Sequence, residues 1–101
     1  MSVDKVKVIP KIVPGRSGRP TVCDLFMPAF ECNAGRISVW SQVGQHSEAS
    51  IEFYHQCKNP HNSKDEALVS EAIREYEKCY GVKCVRVSRQ SAAMRTKNNL
   101  L

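Results

Sequence analysis

A chain of 101 residues has room for one domain and one modest hydrophobic core. With 42% hydrophobic and 25% charged residues, five glycines and five prolines, it is neither disordered nor fibrous, and no low-complexity tract or internal repeat is present. A net charge of +5 argues against an acidic solvating protein and towards an anionic partner.

The cations are gathered at the two ends. Residues 1–22 carry Lys5, Lys7, Lys11, Arg16 and Arg19 against Asp4 alone, and residues 82–101 carry Lys83, Arg86, Arg89, Arg95 and Lys97 with no acid. Residues 59–81 reverse the sign, with Lys64, Arg74 and Lys78 against Asp65, Glu66, Glu71, Glu75 and Glu77. The start, MSVDKVKVIP, has no apolar core of a signal peptide, and no run reaches the roughly 18 apolar residues of a membrane span. The expectation is a cytoplasmic protein without a membrane partner.

In chain order, Val6, Val8 and Ile12 alternate with Lys7 and Lys11 and predict a strand over 6–13. Pro10 has no N–H for a ladder, so this strand is expected at a sheet edge or broken there. Residues 14–20 form a turn-rich loop carrying Arg16 and Arg19, and 21–27 predict a second strand ended by Pro28. Ile37, Val39, Ser41 and Val43 then alternate with Arg36, Ser38, Trp40 and Gln42. After a polar connection at 44–49, Ile51, Phe53, His55 and Cys57 alternate with Glu52, Tyr54, Gln56 and Lys58. The two runs predict an antiparallel hairpin with one aliphatic, buried face and with Trp40 and Tyr54 turned outward.

Asn59 to Asn62 breaks the pattern. Ser63-Lys64-Asp65-Glu66 has the form of a capping box, in which the Ser63 hydroxyl and the Glu66 carboxylate each satisfy a free N–H of the first turn. The helix is expected to run to Tyr80 and stop at Gly81, with Leu68, Ala72, Tyr76 and Cys79, flanked by Val69, Ile73 and Tyr80, as its apolar stripe. Val82, Cys84, Val85 and Val87 predict a last strand, apolar on both faces and therefore central. Residues 1–88 read as a single α+β domain, an antiparallel sheet of about four to five strands with one helix on one face in the order β-β-β-β-α-β, and 89–101 as a basic tail.

Gly18-Arg19-Pro20, with Arg16 two residues before the glycine, resembles the core of an AT-hook and the minor-groove arms of some recombinases. The resemblance covers about five residues and implies an extended segment that inserts an arginine into a narrow groove. The same residues also suit a hairpin loop that uses Gly and Pro for turn geometry.

Five cysteines, an odd count without a signal peptide, read as reduced thiols packed as small hydrophobes. A metal site drawn from His55, Cys57, His61, Cys79 and Cys84 lacks any Cys-x2-Cys knuckle, so neither metal nor cofactor is expected. Cys57 beside His55 is the sole nucleophile pair worth naming, and nothing around it builds an electropositive pocket. The function expected is therefore non-enzymatic: a nucleic-acid-associated accessory protein, with DNA or RNA as partner. Arg16, Arg19, Lys83, Arg86, Arg89 and Arg95 would meet phosphate, and Trp40 and Tyr54 would stack bases. The alternative is a protein-interaction module, a small inhibitor or adaptor, monomeric or homodimeric, that docks through an edge strand or the Trp40/Tyr54 face.

Overall fold

The computed structural model describes residues 4–30, 33–41 and 45–87. Strands β1 (Lys5–Val13), β2 (Val22–Met27), β3 (Arg36–Ser41) and β4 (Gln45–Ser50) are followed by helices α1 (Ile51–Gln56) and α2 (Ser63–Tyr80) and by strand β5 (Lys83–Arg86). The sheet has five strands in the order β4-β3-β2-β1-β5, antiparallel except where β5 lies parallel to β1. The α+β class and the late, long helix predicted above are both present.

β1 runs through Pro10 without a break. Val87 donates to the Val8 carbonyl, and Lys58 exchanges both backbone bonds with Ile12 on the side of β1 away from β2. With a period of two, the missing N–H of Pro10 faces the interval between these two outer partners, where no ladder bond is forfeited. β5 proves to be an edge strand rather than a central one, and its Val85 is 40% exposed.

The second hairpin differs from expectation. Within the connection expected at 44–49, strand β4 forms over Gln45–Ser50, and the strand expected at 51–58 is replaced by α1 over Ile51–Gln56. The Ser50 hydroxyl accepts from the Phe53 N–H at 3.1 Å and caps the new helix. Ile51 and Tyr54 then fall three residues apart on one helical face and are buried. The alternation over 51–58 is incidental, because a polar Ser preceding two apolar residues at helical spacing decides the geometry.

α1 lies on one face of the sheet against β3 and β4, and the chain after it reaches the flank of β1, where Lys58 pairs with Ile12. The chain then passes to the other face, and α2 covers it. Each face thus has its own core. Beneath α2 lie Val8, Ile12, Cys23, Leu25, Met27 and Trp40 against Val69, Ala72 and Tyr76. Beneath α1 lie Ile9, Phe26, Ile37 and Val39 against Ile51, Tyr54 and Cys57. Cys79, placed on the buried stripe by sequence, is exposed.

The cap of α2 is Asn62, one residue earlier than predicted. Its Oδ1 accepts from the Asp65 N–H at 2.8 Å, while Glu66 reaches away from the helix to Arg86. Gly81 closes the helix with φ 65°, a left-handed stop as expected, and its N–H donates to the Glu77 carbonyl at 2.9 Å.

Candidate nucleic-acid interface

Strand alternation sorts the charges by face. Val6, Val8 and Ile12 point under α2, so Lys5, Lys7 and Lys11 point to the opposite face. The parallel register sets Lys83 beside Lys5 and Val85 beside Lys7, on that same face. Lys5, Lys7 and Lys83 are exposed and meet no carboxylate among the described residues. The acids Asp65, Glu66, Glu71, Glu75 and Glu77 all belong to α2, on the far side of the sheet.

Lys11 is the exception within the row, being 4% exposed. Its Nζ donates to Asn59 Oδ1 at 2.8 Å and lies 4.5 Å from the centre of the Tyr54 ring. Asp24 stands directly across from it on β2, 8% exposed, and burial pushes its carboxyl up to about 6.

The loop between β1 and β2 supplies the second cationic group. The Arg19 N–H donates to the Arg16 carbonyl at 2.9 Å, with φ of 51° at Ser17 and 82° at Gly18. Positive φ at both central residues is the geometry of a hairpin turn of type I′, which sets its first and last residues side by side. Gly18-Arg19-Pro20 is therefore not the extended segment of an AT-hook. A second bond, from the Gly15 N–H to Thr21 Oγ1 at 3.1 Å, fastens the loop base, and a Cβ at Gly15 would collide with the Arg19 carbonyl. Arg16 and Arg19 line a cavity whose walls are Val13, Val22 and α1 residues, so they too stand on the face opposite α2. The loop and the lysine group lie roughly 20 Å or more apart, the span of the six residues from Lys7 to Val13 and beyond.

Several predicted site residues fall elsewhere. Trp40 and Tyr54 are 1% and 0% exposed, and neither can stack an unpaired base. Trp40 meets the Tyr76 ring edge-on at 5.4 Å beneath α2, and Tyr54 meets Phe26 at 5.0 Å on the other face. They are enclosed because both sheet faces are covered, which leaves no outward side for alternate residues of β3. Arg86 points to the α2 side, where its guanidinium grips Glu66 with bonds of 2.8 and 3.4 Å and holds that carboxyl below its usual range. Arg86 is thus already paired with an internal carboxylate. Arg89 and Arg95, with the predicted tail 89–101, lie outside the described residues.

The sequence singles out Lys83 but not Lys5 and Lys7, because only the β1–β5 pairing sets the three side by side. Sequence reasoning also missed an aromatic cluster beside β4. Phe30 stacks on His46 at 5.7 Å, Tyr80 meets His46 at 5.3 Å, and the Tyr76 hydroxyl lies 3.2 Å from His46 Nε2. Partial burial holds the His46 imidazole below its ordinary value. The i,i+4 spacing of Tyr76 and Tyr80 is the one sequence signal for it.

The thiol and histidine candidates are not assembled. No group of three His, Cys, Asp or Glu suited to a metal occurs among the described residues. Cys57 is buried and its thiol is pushed up to about 11 by burial, the opposite of what a nucleophile requires, while His55 points to solvent. No described helix is long and apolar enough to cross a membrane.

The chain matches no family model, and neither a curated protein nor a solved structure matches it. The functional reading rests on the molecule's own charges and surfaces.

Proposed function

We propose that this protein is a non-enzymatic accessory factor that binds DNA or RNA through the exposed cations of β1, β5 and the 14–20 loop on the side of the sheet away from α2. The observation that carries the reading is the uneven division of charge: exposed Lys5, Lys7 and Lys83 with Arg16 and Arg19 on the side that bears α1, with Glu52 and the buried Asp24 as its acids, and the five carboxylates of α2 on the other. Such a dipolar body presents its cations to a phosphate backbone while the acidic helix is held away from it. The contacts are to phosphate, so binding is independent of sequence. Trp40 and Tyr54 serve the two cores, and Arg86 ties β5 to α2.

Five cations engaged with a single strand give a slope of log affinity against log salt of about −3.5, from roughly −0.7 per phosphate neutralised. Fluorescence anisotropy of labelled 20-nucleotide DNA and RNA, titrated from 50 to 300 mM KCl, measures it. Replacing Lys5, Lys7 and Lys83 with Gln should flatten the slope by about 2. Absence of binding at 50 mM KCl ends the proposal.

A second reading, protein interaction, is favoured by one feature. Phe30 and Tyr80, 36% and 45% exposed, flank His46 at the edge strand β4. Antiparallel pairing of two β4 edges would make a homodimer, and sedimentation equilibrium of the wild type and of Phe30→Ser/Tyr80→Ser tests it.

A further inference from the structure

Beneath the 14–20 loop lies a cavity of about 630 Å³ that polyanion binding does not account for. Val13 and Val22, paired across β1 and β2, form its floor. Phe53 and Cys57, from α1 and the residue after it, form a wall, and Arg16 and Arg19 stand in the lining from the turn. The volume falls within the roughly 300 to 1,000 Å³ of small-molecule sites. Apolar walls with a few convergent polar groups are the usual composition of such sites, and here both charged groups have the same sign. No Asp or Glu is among the residues that line the cavity, and neither guanidinium meets a carboxylate among the described residues.

We infer that this cavity is a ligand site for a small amphipathic anion: an apolar or aromatic body, seated on Val13, Val22 and Phe53, that carries one carboxylate, sulfonate or phosphate against Arg16 and Arg19. Each half of the site explains why the other alone is insufficient. An apolar ligand would leave two guanidiniums beside it without a counter-charge, and a bare anion would leave the valine and phenylalanine surface uncovered. The turn sets the two arginines side by side, so a single anionic group can engage both through charge-assisted bonds. A strand of nucleic acid is too large for the interior, so the site is distinct in kind from the lysine group. It stands or falls separately from the polyanion reading, although the two share the arginines.

The probe is 1-anilinonaphthalene-8-sulfonate, an aromatic body with one sulfonate, titrated in 300 mM KCl, where counterion release has weakened strand binding. Its neutral analogue N-phenyl-1-naphthylamine and inorganic phosphate serve as comparison ligands. The expected result is saturable one-to-one binding, with amide shifts in the NMR spectrum confined to residues 13–22 and 53–57. The neutral analogue, inorganic phosphate and the Arg16→Gln/Arg19→Gln variant should each give affinity at least about tenfold weaker. No saturable binding, shifts centred on another surface, or equal affinity in the double variant or for the neutral analogue would overturn the inference.

Discussion

Replacing Asp24 with asparagine should stabilise the protein at neutral pH and change little in acid. Asp24 faces Lys11 across the β1–β2 ladder, but the Lys11 ammonium bonds Asn59, and burial pushes the carboxyl from 3.8 to about 6. A raised value means that the folded state binds the proton more tightly than the unfolded chain does. Stability from this group is therefore full below pH 3.8, declines as pH rises through the interval to about 6, and stays low above it. The rise from 3.8 to about 6 is worth about 3 kcal/mol, an upper figure for a group that keeps some solvent contact. An asparagine side chain is uncharged at every pH and of similar shape, so the substitution removes the decline. Urea unfolding of both proteins at steps from pH 4 to 7.5 should show curves that nearly coincide at pH 4 and separate by up to about 3 kcal/mol at pH 7.5, the variant being the more stable. A variant less stable at pH 7.5, or a difference independent of pH, would refute the reasoning. The first result would mean that the ionised carboxylate is held by Lys11, and the second that the carboxyl binds its proton equally well in the folded and unfolded chain.

The capping of α2 can be checked by two substitutions that the sequence and the structure rank oppositely. Asn62→Ala should cost about 1 kcal/mol of unfolding free energy, and Ser63→Ala should be near neutral, because the cap bond comes from Asn62. Gly81→Ala should cost about 1 to 2 kcal/mol by thermal or urea unfolding through backbone strain at φ 65°, since no atom obstructs the added methyl. His46, its imidazole held below 6.5, should make the protein less stable as pH falls from 6.5, and His46→Phe should abolish that portion of the pH profile. This trend is opposite in sign to that of Asp24, so the two variants separate the contributions. Arg86→Gln should leave oligonucleotide affinity unchanged, as its guanidinium is engaged with Glu66.

Much of the architecture can be read from residue order alone. The period-two runs over 6–13 and 21–27 and the long amphipathic helix ended by Gly81 are local signals, and each element forms where its own residues ask for it. What cannot be read is set by pairing at a distance. Whether β1 is an edge or an interior strand depends on β5, far later in the chain, and on Lys58. The failure at 45–57 has a different origin: six residues of either element satisfy the alternation, and one serine hydroxyl tips the balance to a helix. The misplacement of Trp40 and Tyr54 is a direct result, since removal of the expected open hairpin face removes the surface on which they were to stand. For the candidate site, the charged loop 14–20 is legible as a cationic feature. The cavity beneath it is not, because its walls come from a helix that the alternation hides.

The parallel contact between β1 and β5 joins an early segment of the chain to a late one. During synthesis, the flank of β1 must wait for residues 83–86 to emerge from the ribosome before it finds its partner. Until then a row of unsatisfied amides is open to any passing strand, and Pro10, two residues beyond the last one that pairs with β5, adds no donor to it. The proline that costs the finished sheet no bond thus also offers no amide to an incoming strand while that flank is uncovered.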